Sequence, residues 1–130
     1  MKINEGAFDL TSLMRGHELG CLDAVAFKPS KFGGLSAMHR ARDLAVHLGA
    51  EICAECTWGS GIVTAASLHF AVSTPHGSSL NSCDLSGCVV PQIALDCPKW
   101  LDGRIAPPEG AGLGVTSDLD IVGTPILELA

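Results

Sequence analysis

Two short apolar runs lie in the first half of the chain. Lys28 directly follows the first run, and Glu55 is the last residue of the second. The first, residues 23–27 (DAVAF), lacks the polar alternation of a strand with one wet face and predicts a strand buried on both faces. Because Pro29 cannot donate to a sheet and favours extended geometry in the preceding residue, this strand is predicted to end at or near Lys28. After Lys28, the double glycine at 33–34 predicts a tight turn. The second run, residues 50–55 (AEICAE), predicts a similar strand.

A segment with helical features follows each of these strands. Between residues 35 and 48, apolar side chains recur at spacings of three and four, which predicts an amphipathic helix that ends at Gly49. The small and apolar residues at 62–74 predict a well-buried helix that stops before Pro75. Ser60 is the predicted N-cap of that helix because its hydroxyl can accept a hydrogen bond from the first turn.

Strands and helices alternate along most of the chain. A further helix is predicted at residues 8–20. The predicted strands lie near residues 2–4, 23–28, 51–55 and 80–84. This alternation predicts one α/β domain over residues 1–130 with a parallel sheet. Turn-forming residues dominate from Pro91 onward, so residues 91–130 are predicted to form a loop-rich tail.

Lys28 occupies a position of functional interest in this pattern. In open α/β sheets and barrels, active sites lie at the carboxyl ends of parallel strands. A lysine at such an end is therefore a candidate catalytic residue. The alternative is a lysine whose stem covers apolar surface while its ammonium group extends into water.

Composition narrows the classes of partner. The chain has 14 acidic and 8 basic residues and a net charge of −6, which argues against a nucleic-acid or anionic-membrane partner. A hydrophobic fraction of 47% is high for 130 residues and predicts that some apolar surface meets another chain. The sequence shows neither a signal-peptide core nor a long apolar run, so a cytoplasmic location is expected.

The cysteines raise the question of a zinc site or of disulfides. Cys53 and Cys56 form a C-x-x-C pair, but residues three apart on a strand point to opposite faces. No turn-forming residue separates them. Cys83 and Cys88 flank a segment that could turn, yet a four-ligand zinc site would need both pairs. We therefore interpret the cysteines as buried, reduced side chains that act as small hydrophobes.

Several motifs resemble a known enzyme family. Residues 23–75 (DAVAFKPSKFGG… to …TWGSGIVTAASLHFAVSTP) resemble the sixth and seventh strand-helix units of the mandelate racemase and muconate lactonizing enzyme family, in the enolase superfamily. The segment 102–125 resembles that family's carboxyl-terminal part. The TWGSG turn is most similar to the branch of cis-3-hydroxyproline dehydratases and hydroxyproline-betaine epimerases. The resemblance implies an incomplete (β/α) TIM-type barrel that comprises strands five to eight, with a loop-rich tail.

The same resemblance implies a reaction. In that family a base removes the proton α to a carboxylate, while a divalent ion, usually Mg²⁺, holds the small carboxylate substrate and stabilises the enediolate. Lys28 matches the family's base at the end of the sixth strand. A lysine can accept a proton near neutral pH only when its pKa is lowered, so we expect burial or a neighbouring cation to lower the pKa of Lys28.

The chain departs from the family pattern at several acidic positions. Asn4 stands where the resemblance implies an acidic ligand of the metal, which removes one negative charge from that site. Where the family has Glu-Asp after the seventh strand, this chain has Glu55 followed by Cys56. Glu55 and Asp84 remain as acidic residues at the barrel mouth. With Trp58, which can form an apolar or cation-binding wall, they are the expected substrate-binding residues.

Two interpretations of function follow. In the first, the chain is the carboxyl-terminal half of a racemase, epimerase or dehydratase that acts on a small hydroxy or amino acid, such as a proline derivative, and another chain supplies the missing strands. In the second, it is a degenerate, non-catalytic remnant or an interaction module. A complete barrel of this type needs ~250 residues, so we expect the isolated chain to be inactive and to associate with itself or with a complementary chain.

Overall fold

The strands and helices alternate as the sequence predicts. The computed structural model describes residues 1–84 and 86–127. The principal strands are Lys2–Ile3 (β1), Ala24–Phe27 (β2), Glu51–Glu55 (β3) and Ser79–Cys83 (β4), and the principal helices are Leu10–Glu18 (α1), Pro29–Phe32 (α2), Leu35–His47 (α3) and Ser60–Ser73 (α4). The tail adds strands Trp100–Leu101 (β5) and Arg104–Ile105 (β6) and the short helix Leu119–Val122 (α5).

The first four strands form one parallel sheet in the order β1-β2-β3-β4. This topology confirms the predicted α/β architecture, because helices connect each pair of neighbouring strands. In the described residues β1 and β4 each have a neighbour on one side only, so the sheet is an arc of a barrel that does not close. The carboxyl ends of all four strands lie at the same edge of this arc, because every pair is parallel.

The outer face of the sheet packs against the helices. Phe27 and Ile52 are fully buried there with Phe70 of α4 and with other apolar side chains of α1 and α3. The Phe27 ring lies 4.8 Å from the ring of Phe32 and 5.3 Å from that of Phe70. Since side chains alternate along a strand, the intervening residues of β2 and β3 face the inside of the arc. The polar inner face therefore carries the candidate chemistry.

The turn predicted at the double glycine is confirmed, since Gly33 and Gly34 both have positive φ, 75° and 112°. A short helix, α2, that was not predicted precedes this turn, because Pro29 suits the first position of a helix and Gly33 ends it in the left-handed region. One local prediction is wrong. Ser60 is not the N-cap of α4 but its first residue, and Gly59 precedes it as the cap.

The tail packs against α4 and is rich in loops, as predicted, since regular structure within residues 91–127 is limited to β5, β6 and α5. Strands β5 and β6 form a short antiparallel hairpin. Gln92 connects the tail to the helix, because its side-chain oxygen accepts a hydrogen bond of 2.9 Å from the backbone N–H of Gly61. Among the described residues, no helix has the length and apolar character needed to cross a membrane.

Candidate active site at the carboxyl end of the sheet

Lys28 lies directly after β2, at the edge of the sheet where the strands end. Its backbone is extended, with φ −128° and ψ 127°, and Pro29 immediately starts α2. This geometry continues the alternation of β2, so the Lys28 side chain faces the inside of the arc while Phe27 faces the helices. Only 8% of Lys28 is exposed, so its ammonium group needs charged partners.

Two carboxylates provide those partners. The Lys28 Nζ donates a hydrogen bond to Oε1 of Glu5 and lies 3.5 Å from Oε2 of Glu55. The hydrogen bond to Glu5 raises the pKa of Lys28, and the charges of Glu5 and Glu55 add to this effect against the opposing effect of burial. The expectation of a lowered pKa is therefore wrong in this structure, where the neighbours of the ammonium group are anionic.

Glu55, the last residue of β3, is also nearly buried and bridges two lysines. Its Oε1 accepts hydrogen bonds from Lys2 Nζ at 2.6 Å and from the Cys53 thiol at 3.2 Å. Burial raises the pKa of Glu55, but the hydrogen bonds from Lys2 and Cys53 and the charges of Lys2 and Lys28 outweigh burial and lower it. Glu55 is therefore ionised at neutral pH.

Glu5 belongs to the loop that follows β1, and its side chain is 57% exposed. Its two oxygens contact two amines: Oε1 accepts from Lys28, and Oε2 lies 3.1 Å from the Nζ of Lys31 on α2. These hydrogen bonds lower the pKa of the Glu5 carboxyl. We refer to Lys2, Glu5, Lys28, Lys31 and Glu55 as the lysine–glutamate cluster.

The Cys53 thiol lies beneath this cluster. It is buried between Lys2 and Glu55, at 3.3 Å from Lys2 Nζ. Burial and the hydrogen bond to Glu55 raise the pKa of the Cys53 thiol to about 11. The thiol is therefore protonated at neutral pH and acts as a hydrogen-bond donor to Glu55, not as a nucleophile.

Asp84 lies at the same edge of the sheet but outside the cluster. It directly follows β4, whose last residue, Cys83, pairs with Glu55. Its Oδ1 accepts hydrogen bonds from the hydroxyl of Thr64 on α4 at 2.7 Å and from the backbone N–H of Ser86 at 2.9 Å. Asp84 thus connects the end of β4 to α4, and the structure does not bring it together with Lys28 and Glu55.

The remaining two predicted site residues are solvent-exposed. Trp58 follows β3 with φ 61° and is 59% exposed. Asn4, in the position implied for a metal ligand, is also exposed. Within residues 1–84 and 86–127, no three or more His, Cys, Asp or Glu side chains are grouped so that they could hold a metal ion.

Three members of the cluster, Lys2, Glu5 and Lys31, have no motif that marks them as site residues. A positional signal does exist for Glu5, because it directly follows the predicted strand 2–4, as Lys28 follows its own strand. Lys2 lies one residue before Ile3, which packs against the core, so alternation places Lys2 on the inner face. Lys31 reaches the cluster only because α2 forms, which the sequence does not predict.

Comparison with known proteins identifies the family. Residues 2–121 match the family described as enolase C-terminal domain-like. Cis-3-hydroxy-L-proline dehydratase from Roseibium aggregatum is 36% identical over 115 residues, and muconate cycloisomerase 1 from Rhodococcus opacus is 32% identical over 106 residues. These matches cover 88% and 81% of this chain but 31% and 28% of the two relatives, so the chain spans about a third of their length.

Solved structures agree with this assignment. A mandelate racemase/muconate lactonizing enzyme from Roseovarius nubinhibens superposes with a TM-score of 0.89 at 34% identity, over 98% of this chain and 34% of that one. A second structure from the same organism, complexed with magnesium, gives a TM-score of 0.89 at 31% identity over 97% of this chain and 35% of that one. The chain therefore belongs to the enolase C-terminal domain-like family, among the mandelate racemase and muconate lactonizing enzymes of the enolase superfamily.

Proposed function

We propose that this chain supplies the acid/base lysine of an enzyme that transfers the proton at the carbon α to a carboxylate. The observation that carries the proposal is the position of Lys28, buried at the carboxyl end of β2 with its Nζ between Glu5 and Glu55. Active sites of parallel α/β barrels lie at this end. Enolase-superfamily relatives, which include a dehydratase and a cycloisomerase, support this general reaction type.

The environment of Lys28 favours one of the two roles of an acid/base residue. Because Glu5 and Glu55 raise its pKa, the side chain is an ammonium group at neutral pH and can deliver a proton from Nζ to the α-carbon. To act as the base, Lys28 must first lose a proton. The hydrogen bond to Glu5 opposes deprotonation of Lys28 most strongly, so Lys28 can act as the base only when the Glu5 carboxylate has moved away from its Nζ.

The substrate class that we propose is a small hydroxy or amino acid, such as a proline derivative, converted by racemisation, epimerisation or dehydration. The similarity to cis-3-hydroxy-L-proline dehydratase supports this class. Glu55 borders the Lys28 ammonium group and is the proposed substrate-facing carboxylate, and the exposed Trp58 is proposed as an apolar wall. We do not include Asp84 in this set, since its Oδ1 already accepts hydrogen bonds from Thr64 and Ser86.

Magnesium receives no step in this proposal. Both carboxylates of the cluster are paired with lysines, and Asn4 contributes no charge. The described residues therefore do not fit a Mg²⁺ site, which prefers several oxygen ligands with carboxylates among them. In this proposal the lysines of the cluster attract the carboxylate of the substrate through their positive charge.

Complementation of the missing strands tests the proposal. The part of the Roseibium aggregatum dehydratase that this chain does not match is co-expressed with the chain, and cis-3-hydroxy-L-proline is incubated with the purified complex in D₂O. We expect loss of the α-proton signal, measured by NMR, in the complex and not in the isolated chain. Lys28→Gln should abolish it, whereas the matched variant of the exposed Lys99, Lys99→Gln, should not.

The outcomes separate the two interpretations of function. Exchange that persists in Lys28→Gln would contradict the role of this lysine. A stable complex without exchange, in wild type and variants alike, would favour the non-catalytic remnant or interaction module.

A further inference from the structure

We propose that Lys28 and Lys31 form a carboxylate-binding site that works without a metal, and that the Glu5 side chain occupies this site until a substrate carboxylate displaces it. This inference deepens the proposed function and rests on it for the class of ligand. It assigns to Glu5 the role of an internal competitor and to Lys31 a role in binding.

The charge of the cluster supports an anionic ligand. Three ammonium groups, from Lys2, Lys28 and Lys31, face two carboxylates, from Glu5 and Glu55, which leaves a formal excess of one positive charge. The whole chain carries a net charge of −6, so the cluster is a local exception. Within the cluster this excess attracts a carboxylate, and the effect is strongest where the groups are partly removed from water.

The geometry around Glu5 is that of a bound carboxylate. One oxygen accepts a hydrogen bond from Lys28 Nζ, and the other lies 3.1 Å from Lys31 Nζ. A free carboxylate placed between the same two amines would make the same two contacts. Charge-assisted hydrogen bonds of this kind are among the stronger polar contacts in proteins.

The two sides of this contact differ in how firmly they are held. Lys28 is buried, and its backbone is fixed by β2 on one side and by Pro29 on the other. Glu5 lies in the loop between β1 and α1, and more than half of its side chain is exposed. The carboxylate can therefore leave by side-chain rotation into solvent, while the Lys28 amine stays in place.

Glu55 keeps the vacated site intact. When Glu5 leaves, Glu55 still lies 3.5 Å from Lys28 Nζ and holds its second oxygen against Lys2 at 2.6 Å. The buried ammonium group thus retains a partner before the ligand arrives. Glu5 itself is 57% exposed, which weakens its ion pairs through solvent screening, so a ligand carboxylate can compete with it.

Calorimetric titration of the chain with L-proline, in buffer freed of metal ions with a chelating resin, tests this inference. Prolinamide is the matched probe, because it has the same ring without the carboxylate. Glu5→Gln should bind L-proline about fivefold more tightly than wild type, the factor expected when an exposed ion pair no longer competes. Lys31→Gln in the Glu5→Gln background should weaken binding again. Glu18→Gln, which removes an exposed carboxylate at the end of α1, should leave the affinity unchanged.

Each other result overturns the inference. Equal affinity of wild type and Glu5→Gln would show that Glu5 does not occupy the site, and equal binding of prolinamide would show that the carboxylate is not recognised. Binding only after Mg²⁺ is added would assign the carboxylate to a metal. Failure of the proposed function is distinguishable, because it appears as absent α-proton exchange, whereas this titration measures binding alone.

Discussion

Lys2 and Glu55 form an ion pair of 2.6 Å between β1 and β3, although β2 lies between these two strands. The pair is possible because the neighbouring side chains of β2 on the inner face are Ala24 and Ala26, which leave room for the long lysine stem. A charged contact therefore connects the edge of the sheet with its centre. It also orients Glu55 toward the Lys28 ammonium group.

Lys2→Met tests how much this contact stabilises the fold. The substitution keeps the apolar stem but leaves Glu55 with Lys28, at 3.5 Å, as its charged partner. We expect the free energy of unfolding to fall by about 1 kcal/mol, since Glu55 is nearly buried but Lys2 is partly exposed. Urea denaturation at neutral pH measures this value. The control is Lys99→Met, for which we expect a change within about 0.5 kcal/mol, and an equal effect of both variants would contradict the role of the pair.

Glu55→Gln tests the pH dependence of stability. The folded pKa of Glu55 lies below its unfolded value, so its ionised form contributes stability above the unfolded pKa, and this contribution is lost as pH falls through the folded pKa. Wild type should therefore lose more stability between about pH 5 and pH 3 than Glu55→Gln does. Urea denaturation across this range gives the difference. Asp9, whose pKa is also lowered, remains in both proteins, so its contribution cancels in the comparison.

Periodicity was sufficient to predict the sheet and most of its helices. The buried run that contains Phe27 and the run that contains Ile52 are strands with both faces covered, as their apolar composition indicates. Their order also follows from the sequence, because helices between strands require parallel neighbours. The turn at Gly33 and Gly34 is where the sequence predicts it, but the short helix α2 before it was not predicted, although Pro29 favours a first helical position.

The partners of Lys28 cannot be predicted from local sequence patterns. Its place at the end of a strand follows from Pro29, but its contacts with Glu5 and Glu55 depend on the register of three strands and on side-chain direction. Asp84 shows the same limit. Glu55 is the last residue of β3, whereas Asp84 comes one residue after β4, and its carboxylate accepts a hydrogen bond from Thr64 on α4. Because side chains alternate along a strand, a shift of one residue at its end turns the side chain to the opposite face of the sheet.

Gly61 of α4 has a structural role that can be tested separately. A Cβ on Gly61 would clash with Sγ of Cys97 and would lie 2.7 Å from Cβ of that residue. Gly61→Ala should therefore destabilise the fold by about 1–3 kcal/mol, the usual range for overpacking. Cys97→Gly should relieve most of this penalty in the double variant. Urea denaturation of the four proteins gives the coupling energy, and additive effects would contradict a direct clash.

The exposed edge of the sheet leads to a proposal about association. Within the part of the chain that the structure describes, strand β4 has a neighbour only in β3, and its residues Ser79 to Ser82 are exposed, with Leu80 46% accessible. The described part of the tail, which could have covered this strand, leaves it open. An uncovered strand edge beside apolar side chains is a template for pairing with another chain. We therefore expect this chain to self-associate at micromolar concentration, which sedimentation velocity measures.

A charge on the edge separates strand pairing from general hydrophobic contact. Leu80→Lys places an ammonium group on β4, which disfavours edge pairing, so this variant should sediment as a smaller species than wild type at equal concentration. Val72→Lys is the matched control, because Val72 is an exposed apolar residue of α4 that lies away from the strand edge. It should leave association unchanged. If both variants dissociate equally, apolar surface and not the β4 edge holds the chains together, and a wild-type chain that stays monomeric and binds no hydrophobic dye would contradict association altogether.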